Sequence, residues 1–399
     1  MKKSAPKFIF VVGGVISGVG KGVASSSIAK LLQDRGLTAT AIKIDPYINL
    51  DAGTMNPTEH GEVFVLKDGD ETDQDMGNYE RFLNIDLTRT NYMTTGRVYE
   101  TVIHKERNLE YQGRCVQVVP HIPLEVVHRI EVAQKAAKAD VVLIEIGGTV
   151  GEYENILYLE AARMMKIKRP KDVFFVMVSY LPVPSKVGEM KTKPTQHAVR
   201  TLNASGIQPD IILARAETAL DAKRKEKLSM FCNIPADRII SAPDVESIYD
   251  VPLNFEKEKL GDLLCSILGT MCSRKETPSA KKWKEFVRKV HGAKEEVKIA
   301  VIGKYFETGE FLLSDAYLSV IEAIKYSAYW QNRKAKIDWI SANDFEKDYK
   351  KTQMLKKYDG IIVPGGFGSR AIEGKINVIR YARENKIPFL MISIGFPSI

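Results

Sequence analysis

The sequence predicts an α/β protein with doubly wound, mostly parallel sheets, and two observations lead to this fold class. Short apolar runs rich in Val and Ile alternate with amphipathic helical stretches along all 399 residues. The runs are continuous rather than alternating, which is typical of strands that helices cover on both faces. In the first part of the chain the predicted strands are 8–12, 39–44, 116–119, 141–146, 173–178, 211–213 and 239–240. The predicted helices there are 23–35, 124–138, 156–165, 195–204 and 223–231.

A change of composition after Cys272 separates two regions. Residues 273–296 contain a Thr-Pro-Ser sequence and a dense group of lysines and arginines, which is typical of an exposed linker, part of it a solvated helix. The alternation then restarts, with predicted strands at 297–302, 337–340, 360–363 and 388–394 and predicted helices at 316–326 and 372–384. We therefore predict a first domain over 1–272, a linker over 273–296 and a partial second α/β domain of flavodoxin-like type over 297–399.

Composition excludes several classes of protein. Hydrophobic residues make up 44% and charged residues 27% of the chain, as in soluble globular proteins. No apolar stretch approaches the length of a membrane span, and residues 8–12 are too few for the apolar core of a signal peptide, so we expect a cytoplasmic protein without membrane binding. The formal net charge of +8 fits a protein that binds several polyphosphates. Nucleic-acid binding is not expected, because no nucleic-acid motif is present and acidic residues interrupt the basic ones.

The cysteines give no sign of a metal site or of a disulfide framework. They show neither CxxC spacing nor nearby histidines. The four are Cys115, Cys232, Cys265 and Cys272. We expect reduced, mostly buried thiols.

A glycine-rich loop, GGVISGVGKG over residues 13–22, follows the first strand and opens the first helix. Backbone N–H groups of such a loop can approach a phosphate, and the helix N-terminus adds a favourable partial charge. Lys21 can then reach the β- and γ-phosphates of a nucleotide. The loop departs from the usual P-loop, because five residues separate Gly14 from Gly20 and because Gly22 replaces the usual Ser or Thr. A magnesium ion therefore needs other ligands.

Acidic residues supply candidate magnesium ligands. Asp73 and Asp75 lie in the acidic segment 69–75, and Glu145 ends the predicted strand 141–146, just before a flexible Gly-Gly-Thr sequence. In an open α/β sheet, ligands bind beyond the carboxyl ends of the strands. Carboxylates there can hold a magnesium ion shared with substrate phosphates. A merely solvated acidic loop is the alternative interpretation for Asp75.

Two basic segments are suited to a triphosphate. The sequence KTKPTQ, residues 191–196, places two ammonium groups and two hydroxyls at a probable helix start, with Pro194 in the first turn. Each charge-assisted contact to a phosphate is worth roughly 1.5–3 kcal/mol. Lys227 lies on a later helix among other basic residues. For Lys227 a solvated surface lysine is the alternative interpretation.

Six longer motifs occur between residues 5 and 272, in the order SGVGKG, KIDPYINLDAGTMNPTEHGEVFV, DGDETDQDMGNYERF, VQVVPHIP, IEIGGTVGEYE and KTKPTQH. Together they resemble the synthetase domain of the CTP synthase family. The resemblance implies a ligase in which ATP phosphorylates the 4-oxygen of UTP, ammonia attacks C4, and phosphate leaves to give CTP. It also implies CTP as a feedback inhibitor, GTP as a possible effector and a homotetramer whose subunits share nucleotide sites.

The resemblance further assigns roles to individual residues. Lys21 and Lys43 would be catalytic, stabilising charge on the transferred phosphoryl group. Asp75 and Glu145 would hold Mg²⁺. The residues expected to bind ATP are Ser17, Gly18, Val19, Gly20, Lys21, Gly22, Val23 and Asp75. Those expected to bind UTP or CTP are Ser17, Glu152, Tyr153, Glu154, Glu160, Arg163, Lys191, Thr192, Lys193, Pro194, Thr195, Gln196 and Lys227.

One loop departs from the family pattern within this domain. Residues 111–115 resemble the lid over the ammonia entry, with Gln112 and Cys115 where the family usually has Leu and Thr. A polar Gln112 puts the tightness of that route in doubt.

Residues 297–399 resemble the class I glutamine amidotransferase domain of the same family, through the motifs IGKY, SDAYLSVIEA and VPGGFG. In the last motif Gly366 would contact glutamine at an oxyanion loop. The family's nucleophile elbow, Gly-Ile-Cys-Leu-Gly, aligns with residues 391–395. Met391 replaces a glycine that the strained turn needs. Ser393 replaces the cysteine, and a hydroxyl is a far weaker nucleophile than a thiol without an adjacent base.

The His and Glu that would supply this base in the family align beyond residue 399. We therefore expect no glutamine hydrolysis, CTP formation from ammonia alone, and an open apolar edge at strand 388–394. Two alternatives remain: a fragment of a glutamine-dependent CTP synthase, or a non-catalytic nucleotide-binding partner of an intact synthase.

Overall fold

The structure is a computed structural model that describes residues 5–186, 188–273, 275–304, 307–308, 311–312, 314–366 and 371–392. It divides into two compact units. The first comprises Met1–Thr54 and Val65–Lys284, and the second comprises Met55–Phe64 and Glu285–Ile399.

A seven-stranded parallel sheet forms the centre of the first unit. The strands up to residue 243 are β1 (Lys7–Gly14), β2 (Ala39–Asp45), β3 (Val63–Val65), β4 (Glu71–Asp73), β5 (Tyr92–Thr94), β6 (Val141–Ile146), β7 (Val173–Tyr180), β8 (Ile211–Ala216) and β9 (Ile239–Pro243). The order across the sheet is β5-β2-β6-β1-β7-β8-β9. Every residue of β1, β2 and β6 is buried, which explains why their sequences are continuous apolar runs.

Helices cover both faces of this sheet. The helices up to residue 292 are α1 (Lys21–Gln33), α2 (Pro57–His60), α3 (Asp75–Leu83), α4 (Thr95–Arg107), α5 (Val118–Ala137), α6 (Ile156–Lys168), α7 (Lys193–Ala204), α8 (Ala222–Cys232), α9 (Val251–Lys257), α10 (Leu260–Leu268) and α11 (Pro278–Gly292), of which α2 belongs to the second unit. Short 3₁₀ helices occur at Arg89–Asn91, Tyr153–Asn155, Ala236–Arg238 and Ile248–Asp250. The predicted doubly wound, parallel α/β class is confirmed. None of the helices in the described ranges combines the length and apolar character needed to cross a bilayer.

The predicted strand 116–119 is wrong. Helix α5 begins at Val118, and the peptide bond between Val119 and Pro120 is cis. Proline has no N–H to donate to a neighbouring strand, so it is disfavoured inside a sheet. The side chains of Val118 and Val119 are also about half exposed, unlike those of a buried strand.

The expectation of reduced, mostly buried thiols is wrong for two of the four cysteines. Cys265 and Cys272 form a disulfide with their Cα atoms 6.1 Å apart. Helix α10 is followed by Gly269 in the left-handed conformation, and the chain after this turn brings Cys272 back to Cys265. Cys232 is a buried free thiol, whereas Cys115 is free and exposed.

Helix α11 occupies most of the predicted linker, and it is not simply solvated. The indole of Trp283 is only 7% exposed and packs on the rings of Phe82 and Tyr249. Its Nε1 donates to the carbonyl of Tyr249 at 3.1 Å. The boundary between the two compact units falls within α11. The division at 272 and 297 stays a prediction.

The second unit contains a four-stranded parallel sheet in the order β13-β10-β14-β15. Its strands are β10 (Glu295–Gly303), β11 (Glu307–Thr308), β12 (Phe311–Leu312), β13 (Arg333–Ser341), β14 (Gly360–Val363) and β15 (Phe389–Met391). Its helices are α12 (Leu318–Trp330), α13 (Ala342–Lys347) and α14 (Ile372–Glu384), with 3₁₀ helices at Ser314–Tyr317 and Tyr349–Lys357. Within the described residues β15 pairs only with β14, and its residue Leu390 is 57% exposed.

Candidate nucleotide and magnesium site

The glycine-rich loop joins β1 to α1 through three residues with positive φ. These are Val15 at 81°, Gly18 at 68° and Gly20 at 88°. Gly20 is the left-handed residue immediately before α1. The outer part of the loop, Ser17 and Gly18, is exposed, whereas Val19 is buried. The loop therefore offers backbone groups at the N-terminus of α1, beyond the carboxyl end of β1.

Lys21 lies beneath this loop. Its ammonium donates to the carbonyl oxygen of Gly148 at 2.8 Å, and the residue is only 9% exposed. Burial lowers the pKa of Lys21, and the nearby Lys43 lowers it further, while Glu145 opposes the shift. The P-loop lysine is thus tied to the loop that follows β6, where the predicted ligand Glu145 also lies.

Lys43 is the centre of a buried charge cluster. Lys43 and Glu145 face each other directly on the paired strands β2 and β6. The Lys43 ammonium lies 3.0 Å from Glu145 Oε1 and 2.5 Å from Asp75 Oδ2. Burial lowers the pKa of Lys43, but the surrounding carboxylates, Asp73 foremost, outweigh burial and raise it well above 10.5. Burial raises the pKa of Asp75, but Lys43, together with Asn78 and Lys21, outweighs that effect and lowers it. Burial raises the pKa of Glu145.

Asp75 also explains the unusual glycine of the loop. A side chain on Gly22 would overlap Oδ1 and Cγ of Asp75, with Oδ2 at 3.0 Å. The carboxylate of Asp75 therefore occupies the space that a Ser or Thr side chain would take at position 22. The neighbouring candidate Asp73 has a different contact, because its Oδ1 accepts the backbone N–H of Asp75 at 2.7 Å, at the start of α3.

Two residues of this region were missed by the sequence reasoning. The phenol of Tyr79, on α3, donates to Glu145 Oε2. Arg215 is the second-last residue of β8, and its guanidinium donates to Asp244 Oδ1 at 2.6 Å. The position of Arg215 near the carboxyl end of a sheet strand was the available signal.

Arg215 lies beside the loop, because a side chain on Gly20 would come within 3.1 Å of its guanidinium. A cleft begins there and has a largely apolar lining. The lining residues are Gly20, Val23, Ala24, Val178, Leu213, Arg215, Ala242, Pro243, Val245, Val251, Asn254 and Phe255. The cleft has a volume of only about 10 Å³, room for about one water molecule, so it would have to widen to accept a planar heterocyclic base.

A second, basic cavity of about 580 Å³ contains most of the predicted triphosphate residues. It is lined by Pro182, Glu189, Met190, Lys191, Thr192, Lys193, Pro194, Lys223, Arg224 and Lys227. The structure thus brings Lys227 together with the 191–194 segment, although α8 is remote from it in sequence. In this cavity Lys191 pairs with Glu189 at 2.7 Å and lowers the pKa of that carboxyl.

The remaining predicted residues of this segment face elsewhere. Thr195 is fully buried, and its hydroxyl accepts a hydrogen bond from Ser179 at 2.8 Å. Gln196 donates to the hydroxyl of Thr192 at 3.1 Å. In the described part of the chain, neither Thr195 nor Gln196 lines the basic cavity.

The predicted CTP residues lie at the start of α6 and along it. Tyr153 is 89% exposed, beside the exposed Glu154, and Glu152 accepts the N–H of Thr149 at 2.8 Å. Further along α6, Arg163 donates to both carboxylate oxygens of Glu160, at 2.8 and 2.6 Å. Glu160 and Arg163 therefore form a salt bridge with each other. Within the described residues, none of the five predicted CTP residues lines the basic cavity.

In the lid-like loop, Gln112 is exposed and has φ of 54°.

In the second unit, Gly366 follows β14 and is half-buried. A side-chain hydrogen bond reaches the predicted oxyanion loop, because Lys375 Nζ donates to the carbonyl of Pro364 at 2.6 Å. Met391 is the last residue of β15. Ser393, the predicted remnant of the nucleophile, lies outside the described residues.

Comparison with known proteins agrees with the sequence motifs. Residues 7–270 match the family model of the CTP synthase N-terminus, and residues 312–399 match that of class I glutamine amidotransferases. The chain is 52% identical over 391 residues to CTP synthase of Pyrococcus abyssi, a match that spans 98% of this chain and 71% of the relative. The values for CTP synthase of Thermococcus gammatolerans are the same. CTP synthase of Shouchella clausii is 46% identical, over 98% of this chain and 72% of its own. The chain belongs to the CTP synthase family.

Proposed function

We propose that this chain is a ligase that converts UTP to CTP, using ATP to phosphorylate the 4-oxygen of UTP and ammonia as the nitrogen donor. The observation that carries the proposal is the convergence of Lys21, Lys43, Asp75 and Glu145 beneath one phosphate-binding loop. In this proposal Ser17, Gly18, Val19, Gly20, Lys21, Gly22 and Val23 bind the ATP phosphates.

The donor set fits Mg²⁺. Asp75 and Glu145 present carboxylate oxygens toward the same ammonium, and oxygen ligands are those that Mg²⁺ prefers. When bound, Mg²⁺ would neutralise charge on the β- and γ-phosphates. Lys21 and Lys43 stabilise the charge on the phosphoryl group as it passes to the 4-oxygen of UTP.

Two places in the first unit are assigned to the two nucleotides. The narrow cleft beside Arg215 would widen to receive the adenine of ATP, an assignment that rests on its position next to the loop that binds the phosphates. The basic cavity receives the triphosphate of UTP, held by Lys191, Lys193 and Lys227. In the proposal Thr195 and Gln196 support the shape of this segment. CTP competes for the same triphosphate site, with Glu152, Tyr153, Glu154, Glu160 and Arg163 in the region that recognises its base. A homotetramer, and GTP as an effector, belong to the proposal on family resemblance alone.

We propose further that ammonia rather than glutamine is the nitrogen source for this chain. The elbow sequence supports this, because Met391 and Ser393 replace the glycine and the cysteine that thiol chemistry requires. Gly366 and Ser393 would then be remnants of a glutamine site.

The test is to supply the purified chain with ATP, Mg²⁺ and UTP, together with either ammonium or glutamine, and to measure CTP by chromatography. We expect CTP with ammonium and none with glutamine. CTP from glutamine would show that the glutaminase is active. No CTP from either source, with ATP still bound, would favour the non-catalytic nucleotide-binding partner. Lys21→Ala and Glu145→Gln are the matched inactive controls.

A further inference from the structure

Helix α3 carries three side chains that point to one place. Asp75, Asn78 and Tyr79 are spaced as i, i+3 and i+4, so they share one face of the helix. Asn78 Nδ2 donates to Asp75 Oδ1 at 3.3 Å, and the Tyr79 phenol reaches Glu145 on β6. One helical turn therefore contains one proposed magnesium ligand and a direct contact to the other.

Both oxygens of Glu145 have a fixed donor. Oε1 accepts from the ammonium of Lys43 at 3.0 Å, and Oε2 accepts from the hydroxyl of Tyr79. Glu145 is 1% exposed and Tyr79 is fully buried, so water does not compete for these hydrogen bonds.

We infer that Tyr79 is a positioning residue for metal binding, which orients the carboxylate of Glu145 and couples it to the helix that carries Asp75. The inference rests on the proposed function, in which Asp75 and Glu145 are the ligands. Groups that hydrogen-bond to metal ligands typically change metal affinity about 10- to 100-fold when they are removed. Tyr79 itself touches neither nucleotide nor metal in this account.

A second tyrosine offers a matched control. Tyr92, on β5, donates its phenol to Asp45 Oδ2 at 2.8 Å, and it is 1% exposed. Asp45 lies on the edge of the same cluster, 3.9 Å from Lys43 Nζ, and it has no ligand role in the proposal. Tyr92→Phe therefore deletes the same chemical group from the same environment without touching a proposed ligand.

The experiment measures binding of Mn²⁺, as a probe for Mg²⁺, to the whole chain by electron paramagnetic resonance, with a non-hydrolysable ATP analogue present. Tyr79→Phe should raise the Kd for Mn²⁺ about 10- to 100-fold, whereas Tyr92→Phe should change it less than about 3-fold. Thermal unfolding should show comparable losses of stability for both. 4-Aminophenylalanine at position 79 keeps a donor on the same ring and should restore most of the affinity, which serves as the test if Tyr79→Phe does not fold.

Equal weakening by both Phe variants, unchanged Mn²⁺ affinity in Tyr79→Phe, or no recovery with 4-aminophenylalanine would overturn the inference. Glu145→Gln separates this result from a failure of the proposed function. If Glu145→Gln binds Mn²⁺ like the unaltered chain, Glu145 is not a ligand and the proposed metal site itself is wrong. If Glu145→Gln abolishes binding while Tyr79→Phe does not weaken it, only the role of Tyr79 is wrong.

Discussion

Replacing Gly22 by alanine should destabilise the protein, although helix propensity alone favours the change. Gly22 lies in the first turn of α1, where a Gly to Ala replacement is expected to stabilise by roughly 0.5–1 kcal/mol. The new methyl group, however, would overlap Oδ1 and Cγ of Asp75. Overpacking of this kind costs about 1–3 kcal/mol. Any retreat of Asp75 also lengthens its 2.5 Å contact with Lys43. We expect a net loss of about 1–2 kcal/mol in the free energy of unfolding.

The assay is urea unfolding of four chains: unaltered, Gly22→Ala, Asp75→Ala, and the double variant. In Asp75→Ala the overlapping atoms are gone, so Gly22→Ala should there stabilise by roughly 0.5–1 kcal/mol. This reversal of sign is specific to the proposed overlap. Gly292→Ala, at the end of α11, is the matched control, because a methyl group there meets nothing within 4 Å. Stabilisation by Gly22→Ala in the otherwise unaltered chain would refute the reasoning.

Three further predictions concern other parts of the chain. Replacing Cys265 and Cys272 by serine should lower the free energy of unfolding by about 2–3 kcal/mol, because the short loop regains its freedom; equal thermal midpoints for variant and oxidised parent would contradict this. Burial lowers the pKa of Lys375 from 10.5 to about 8. Between pH 8 and pH 10.5 the unfolded chain therefore binds more protons than the folded chain, so the second unit should gain stability as the pH rises through this range. Hydrogen exchange of β14 should show this gain in the parent but not in Lys375→Met, and a gain of equal size in both would exclude Lys375 as its source. Arg215→Ala should weaken ATP binding about 10-fold in calorimetry and leave UTP binding within about 3-fold, whereas equal losses would contradict the proposed contact between Arg215 and ATP.

The sequence was sufficient for strands that are continuous apolar runs and for helices with a clear amphipathic pattern. Strand β6 and helix α14 begin and end at the predicted residues, because burial on both faces of β6 and the amphipathic pattern of α14 mark their full lengths. The segment 116–119 has the same apolar character, but it is exposed and contains the residue before a proline. Local composition cannot distinguish a buried apolar run from an exposed one.

The candidate site could be predicted only in part. The loop around Lys21 carries its own local signal, whereas the partners of Glu145 come from β2 and α3, which only the folded sheet brings together. The role of Lys43 came from family resemblance. The acidic segment marked Asp75 only as one of two interpretations, and no local pattern marked Tyr79. The disulfide was also missed because it depends on the fold. The spacing of Cys265 and Cys272 does not reveal that Gly269, between them, adopts the left-handed conformation after α10 and turns the chain back.

The charge cluster has a thermodynamic consequence for the order of events at this site. Four carboxylates face the ammonium of Lys43 at 2.5 to 3.9 Å, namely those of Asp75, Glu145, Asp73 and Asp45. Negative charge is therefore in excess there, and it repels a bare polyphosphate over short distances. A divalent cation removes that repulsion, so metal and nucleotide each strengthen the binding of the other by the same factor. If the proposed function holds, this site should bind the metal–nucleotide complex in preference to the free nucleotide, and a surplus of uncomplexed ATP should compete only weakly.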